Sequence, residues 1–238
     1  MVNVICMKWG TAYGPEYVNI LHAMVRRNLT RPFRFVCFTD DTSGINDGIE
    51  CQPLPEMPLV SGNPMHGWRK IGSFAPGLAG LEGPTLFLDL DLVIIDNIDC
   101  FFDHPGDFCI IENWTTPGRG IGNSSVYRFD PAKYAFVFET YCRDPKRIIE
   151  TYDNEQIMVS KVIGDITFWP ETWCRSFKRH SLPGGLLNCF VRPKIPEGTK
   201  ILVFHGHPKP IEAARGIWPK KFKPIRPAPW ILDYWREG

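Results

Sequence analysis

The order of apolar and polar residues along the chain predicts alternating strands and helices. Val2 to Met7 is a short, apolar, β-rich run. Glu16 to Arg27 repeats apolar residues at Val18, Leu21, Met24 and Val25 with helical spacing, and Phe33 to Thr39 is again strand-like. A strand–helix–strand opening is the pattern of a parallel α/β sheet. Trp9 to Pro15 reads as a loop, the Pro- and Gly-rich residues 52–67 as another, and a helix is predicted to start near Trp68. Thr85 to Leu90 is a continuous apolar run with acid at its end, as in a buried central strand, and Val93 to Ile95 continues it after a second acid. Phe108 to Ile111 is a further strand, 113–123 a loop, Pro131 to Cys142 and Asp153 to Val162 helices, and Ile201 to Phe204 the last strand.

Beyond His205 the chain becomes rich in proline, with three tryptophans and the basic run Lys220-Lys221-Phe222-Lys223. The expectation is a single domain over 1–210 and an extended proline, aromatic and basic tail over 211–238, packed on it. Composition agrees with one α/β domain: 238 residues, 44% hydrophobic and 22% charged. A net charge of +1 gives no global field for nucleic acid, so any anion site must be local. The eight cysteines have no zinc-type spacing, and several lie in apolar runs such as Val36-Cys37-Phe38, which reads as buried, reduced thiols of a cytoplasmic protein. No signal peptide and no bilayer-spanning run is visible.

The candidate chemistry lies in Leu86-Phe87-Leu88-Asp89-Leu90-Asp91-Leu92-Val93-Ile94-Ile95. Two carboxylates at i and i+2 after a buried strand fall at its carboxyl edge, where open α/β sheets bind ligands. They repel one another, and a divalent cation relieves that by taking oxygen ligands from both. It can then bridge two phosphates. A solvated turn is the plain alternative, but turns of that kind seldom sit between two apolar runs. Haloacid-dehalogenase-type phosphatases also place D-x-D after an apolar strand. They need a later lysine and a later acidic pair, whereas Asp40-Asp41 comes first and Gly164-Asp165 has no second acid nearby.

The motif runs on through Asn97-Ile98-Asp99-Cys100-Phe101. In this longer form it resembles glycosyltransferase family 8 and its GT-A relatives, the group of glycogenin and the bacterial lipopolysaccharide galactosyltransferases. The resemblance implies a GT-A fold: a Rossmann-like, mixed but mostly parallel sheet flanked by helices. It also implies residue roles. Tyr13 and the Thr11 backbone, after the first strand, would seat the uracil. Lys70, in Trp68-Arg69-Lys70-Ile71, would stand near the donor and the acids, the alternative being a solvated helix residue. Asn123-Ser124-Ser125 matches an N-S-G-like turn near the sugar, with serine where glycine is usual. Glu155-Gln156 matches a D-Q pair that opens a helix, beside Asp153 as a candidate helix cap. His205-Gly206, at the end of the last strand, matches the metal-ligand histidine and glycine, and Lys209 the lysine that reaches the diphosphate. The spacing is two residues shorter than in glycogenin-like members, which leaves His207 as the alternative ligand.

These assignments imply a transferase that moves a sugar from a nucleotide diphosphate sugar, UDP by resemblance, to a hydroxyl acceptor on a carbohydrate or glycolipid, with retention. Asp89, Asp91 and His205 would bind Mn2+ (or Mg2+), Asp89 also facing the donor, while Asn123, Glu155 and Gln156 serve the sugar and acceptor. Nucleotidyl transfer and sugar-nucleotide binding without turnover are the competing classes; Lys8 to Gly14 is not the Gly-rich, Arg-bearing loop of the first. In the tail, Lys220, Lys221, Lys223 and Arg226 alternate with Trp218, Phe222, Trp230 and Trp235. Such a segment suits either the inner face of an anionic membrane or aromatic packing on the domain.

Overall fold

The computed structural model describes residues 1–58, 60, 67–219 and 225–238. Strand β1 (Val2–Lys8) is buried along its whole length, which is why its sequence is a continuous rather than alternating apolar run. Helix α1 (Pro15–Asn28) starts with proline in its first turn and buries Val18, Leu21, Met24 and Val25, the predicted stripe. It leads to β2 (Phe33–Thr39), β3 (Glu50–Pro53) and a 3-10 helix (Trp68–Phe74). The helix predicted near Trp68 is thus of the tighter kind, with Lys70 N donating to Gly67 O and Ala75 N to Gly72 O.

Next come β4 (Thr85–Leu88), β5 (Leu92–Ile94), the single-turn α2 (Cys100–Asp103), β6 (Cys109–Glu112) and β7 (Gly122–Phe129). They are followed by helices α3 (Pro131–Arg143), α4 (Pro145–Thr151) and α5 (Glu155–Ile163). The cap of α5 is Asn154, whose side chain accepts from Ile157 N, and not Asp153. Last are β8 (Thr167–Phe168), β9 (Cys174–Ser176), a π-helical turn (Phe177–Ser181), β10 (Ile201–Val203), α6 (Pro210–Arg215) and α7 (Ile231–Tyr234).

The main sheet has the order β3-β2-β1-β4-β7-β6-β8. Pairing is parallel except along β7, which runs against both β4 and β6. Val4, Cys6, Leu86 and Leu88 face one core layer, with α1. Ile5, Met7 and Phe87 face the other, with the 3-10 helix, α3 and α5. In that second layer Tyr127 stacks between Phe87 and Phe74 at centroid distances of 4.7 and 5.6 Å, and its hydroxyl meets Ser73 Oγ at 2.6 Å. This packing fixes the 3-10 helix, and with it Lys70, over the end of β4.

One expectation is corrected. The run after Asp91 does not continue β4. The chain turns at Asp89-Leu90-Asp91, and β5 enters a separate sheet of order β5-β10-β9. Asp89 N still donates to Ser125 O of β7 at 2.9 Å, so the acidic pair lies at the junction of the two sheets. The stretch after 210 also differs from an extended tail. It contains α6 and α7, and buries Ala213, Ala214, Ile225, Ala228, Ile231 and Trp235. Trp230 donates its ring N–H to Pro193 O, whereas Lys220 to Lys223 lie outside the described residues. All eight cysteines are unpaired thiols, buried or half-buried. Among the described residues no helix is long and apolar enough to cross a membrane.

Candidate active site

A cavity of about 360 Å³ opens at the carboxyl edge of the main sheet, at the junction with the second sheet. Asp89 and Asp91 form its floor. Lys70, from the 3-10 helix, contacts Asp89 at 2.6 Å. Lys209, at the start of α6, contacts Asp91 at 2.6 Å. Tyr13, in the loop between β1 and α1, donates to Asp91 Oδ2 at 2.7 Å, and the ammonium of Lys209 also meets the Tyr13 hydroxyl. The two aspartates are therefore each held by a lysine from a distant part of the chain. Asp91 is only 5% exposed, so the pair with Lys209 offsets a desolvation that bare ionisation would not tolerate.

On the opposite wall, Ser124 ties β7 to α5: its hydroxyl donates to Glu155 Oε1 at 2.9 Å and its backbone N–H to Gln156 Oε1 at 3.1 Å. Glu155 is buried at the first turn of α5. Gly67 lies against it, and a Cβ there would come to 2.5 Å of Glu155 Oε2. The Asn123 side chain turns back to accept from Ser125 N at 3.1 Å. Gly206, at φ +67°, bends the chain after β10. His205 stays on the cavity wall, its Nε2 2.8 Å from Ser176 Oγ, while its carbonyl oxygen accepts from Lys178.

The electrostatics follow from this packing. Burial alone would lower the Lys70 ammonium, but the carboxylates of Asp89 and Glu155 outweigh it and raise its pKa. Burial and the neighbouring Asp91 raise Asp89, against the pull of Lys70. Burial and the Asp91 charge push the Tyr13 phenol far up, so it stays a neutral donor. Burial, then the nearby Lys178, pushes His205 down to about 4 against the attraction of Asp91. At neutral pH its imidazole is uncharged and able to act as a ligand.

Of the residues predicted from sequence, Tyr13, Lys70, Asp89, Asp91, Asn123, Glu155, Gln156, His205 and Gly206 line this one cavity, and Lys209 joins it through Asp91. Thr11 is exposed and does not line it, although its neighbour Ala12 does. The Tyr13 hydroxyl is engaged with Asp91. His207 is half out in solvent and bonded through Nδ1 to Glu212 at 2.8 Å, so of the two candidate histidines only His205 faces the cavity. Among the described residues no group of three or more His, Cys, Asp or Glu side chains converges as a cation cluster. Asp89 and Asp91 meet lysines, and His205 meets a serine.

Sequence reasoning missed Met7 and Trp9, which also line the cavity, and the bridging role of Ser124. It missed a second cavity as well, of about 480 Å³, lined by Glu112, Trp114, Trp169, Glu171, Arg179 and His180 among others. The Trp114 ring lies over His205 at 6.1 Å and meets His180 edge-on at 6.0 Å, so the Trp114 wall of the second cavity adjoins the His205 wall of the first. A tryptophan in a loop carries no sequence signal for this position.

No family model and no curated protein matches the sequence. Solved structures do resemble the fold. Galactosyltransferase LgtC, solved in complex with donor and acceptor sugar analogues, matches with a TM-score of 0.58 and 13% identity over 88% of this chain and 89% of its own. An active-site mutant of LgtC matches with a TM-score of 0.61 at the same identity and coverage. The glycosyltransferase GlyE of Streptococcus pneumoniae TIGR4 matches with a TM-score of 0.58 and 13% identity over 95% of this chain and 58% of its own. The fold is the GT-A fold expected from the acidic motif.

Proposed function

We propose that this chain is a glycosyltransferase that moves a sugar from a nucleotide diphosphate sugar, with UDP as the nucleotide, to a hydroxyl of a carbohydrate or glycolipid. The observation that carries this reading is the pair of aspartates at a sheet-edge cavity, each held by a lysine, with Glu155 and Gln156 on the facing wall. Lysines there can transfer their contacts from carboxylate to phosphate oxygens, and the carboxamide and carboxylate opposite suit sugar hydroxyls.

Asp89, Asp91 and His205 would hold the divalent cation, Mn2+ or Mg2+. The chemistry of the donors, two carboxylates and a neutral imidazole, suits a borderline-hard ion, which would draw the aspartates from Lys70 and Lys209 and the imidazole from Ser176. The charge count fits too. At formal charges, the carboxylates of Asp89, Asp91 and Glu155 exceed the ammonium groups of Lys70 and Lys209 by one. A dianionic diphosphate entering alone would add like charge to a negative cleft, and a divalent cation entering with it offsets that addition. When bound, the cation would neutralise charge on the departing diphosphate.

The chain's own residues then have separate tasks. Lys70 and Lys209 face the diphosphate. Ser124 fixes the Glu155 carboxylate and, through its N–H, the Gln156 amide, so both meet the sugar in set orientations. The acceptor oxygen bonds to the anomeric carbon, the bond from that carbon to the diphosphate oxygen breaks, and the acceptor's proton leaves on the diphosphate. Glu155 is committed to Ser124, which favours front-face attack, and hence retention, over a covalent intermediate. The second cavity, with the Trp114 face and the polar edge of Glu112, Arg179 and His180, suits the carbohydrate acceptor.

A second reading, donor binding without turnover, is favoured by the engagement of both aspartates with lysines. A panel of sugar nucleotides, incubated with and without manganese, separates the two. Metal-dependent hydrolysis of one donor supports transfer, and calorimetric binding without hydrolysis supports the second reading. Asp91→Asn is expected to lower turnover about 100-fold or more with the fold retained. Full metal-dependent turnover in that variant would overturn the assignment.

A further inference from the structure

Four large apolar side chains stand out of the surface within six residues: Leu186 is 83% exposed, Leu187 56%, Phe190 78% and Val191 41%. They lie on the single 3-10 turn Gly185–Cys189 and its exit. Scattered exposed hydrophobics are ordinary, but four on one loop form a patch that calls for a cover. The loop is firmly tied. Gly184 N donates to Asn188 Oδ1 at 2.9 Å, Val191 N to Leu187 O at 2.8 Å, and Arg226 N to Asn188 O at 3.1 Å. Its polar backbone is thus partly satisfied within the protein, and its apolar side chains point away from it.

The charge around this loop is one-sided. Between Glu171 and Glu197 the chain carries Arg175, Lys178, Arg179, Arg192 and Lys194 and no acid; Arg175 is ion-paired with Glu171 at 2.6 Å, which leaves the other four to give the stretch its charge. From Ala213 to Leu232 it carries Arg215, Lys220, Lys221, Lys223 and Arg226, again with no acid. Ten of the 27 basic residues and none of the 26 acidic ones fall in these two stretches, so the rest of the chain is net −9 against a total of +1. Described residues of the two stretches meet in space: Trp230 Nε1 donates to Pro193 O at 3.0 Å, Arg226 N to Asn188 O as above, and the Lys178 ammonium lies 5.7 Å from the Trp218 ring centre. Arg179, Arg192, Lys194 and Arg226 are exposed.

We infer that the loop Gly185–Val191 and its basic flanks dock this protein on an anionic lipid bilayer. Leucine, phenylalanine and valine side chains enter the boundary between headgroups and acyl chains, while guanidinium and ammonium groups meet lipid phosphates. A second copy of the chain fits less well, because a two-fold contact would press the same positive stretches together. Nucleic acid has no use for the aliphatic side chains at the centre of the patch. The inference does not depend on the catalytic reading.

The test is co-sedimentation of the full chain with vesicles of phosphatidylcholine containing 30% phosphatidylglycerol, against phosphatidylcholine alone. Binding is expected only to the anionic vesicles, and is expected to fall with salt. Leu186→Asp with Phe190→Asp should weaken it at least tenfold. Arg192→Glu with Lys194→Glu should weaken it more than tenfold, at about fivefold per charge removed. Urea midpoints should stay at the parent value, since all four side chains are exposed. Equal binding of both variants, equal binding to neutral vesicles, or no binding to anionic ones would overturn the inference. So would a dimer in solution that the Leu186/Phe190 variant disperses.

Discussion

Asp99 closes the longer acidic motif, and its surroundings give it a structural task that can be measured. Its carboxylate accepts from Thr30 N at 3.1 Å, Thr30 Oγ1 at 2.5 Å and Asn97 Nδ2 at 2.9 Å, with Arg31 Nε at 3.4 Å. It clamps the α1–β2 connection to the chain after β5. Burial opposes its charge, but the donors from Thr30 and Asn97, then Arg31, outweigh that and pull the carboxyl from 3.8 down to about 2. The side chain is 19% exposed, so screening removes little of this. A depressed carboxylate contributes stability that is full above its unfolded pKa and is lost as pH falls through the folded one. Linkage gives about 2 kcal/mol at pH 7 and about half of that at pH 3. Urea unfolding of the parent and of Asp99→Asn at both pH values isolates the effect, because other titrations largely cancel in the difference. The penalty of the substitution should be about 1 kcal/mol smaller at pH 3 than at pH 7. Equal penalties at the two pH values would refute the clamp as an ionised one.

Two further predictions concern the cavities. Lys70→Met leaves Asp89 partly buried without its ion pair, and should cost about 2–3 kcal/mol in urea unfolding along with a raised donor KM; an unchanged midpoint would show that the pair carries no stability. Trp114→Ala removes the indole wall of the second cavity, and should raise acceptor KM about tenfold while lowering kcat less, as measured by initial rates once an acceptor is found; a change confined to kcat would remove Trp114 from the acceptor surface.

Much of the fold was legible because its signals are local. The burial of β1 and the stripe of α1 follow from short-range apolar spacing, and the motif order located Asp89, Lys70, Glu155, Gln156 and His205 in the cavity they line. What escaped has a physical cause. The split of Thr85 to Ile95 between two sheets is invisible to hydropathy, since Leu86–Leu88 and Leu92–Ile94 are buried alike. Helix α4 buries no residue and has no stripe to read. Ser124 reaches Glu155 across 31 residues, and Trp114 reaches His205 across a still longer separation, so neither contact has a local signature.

The shortened segment from His205 to Lys209 raised the sharpest question about the site, and the geometry around it answers with the C-terminal stretch. Gly206 turns the chain in a left-handed conformation, and Glu212 then gathers both His207 Nδ1 and Lys209 N, at 2.8 and 2.7 Å. That fixes the backbone from which Lys209 reaches Asp91 across 118 residues. Glu212 itself is placed by α6, whose Ala213 and Ala214 are buried in the core layer that also holds Ala228, Ile231 and Trp235. The stretch after 210 is therefore not an accessory to the cavity. Its packing sets the angle at which one of the two balancing ammonium groups enters, so removing it would release Lys209 and leave Asp91, 5% exposed, with Tyr13 as its remaining hydrogen-bond partner of those described. A nearly dry carboxylate with a single partner would draw water into the cleft.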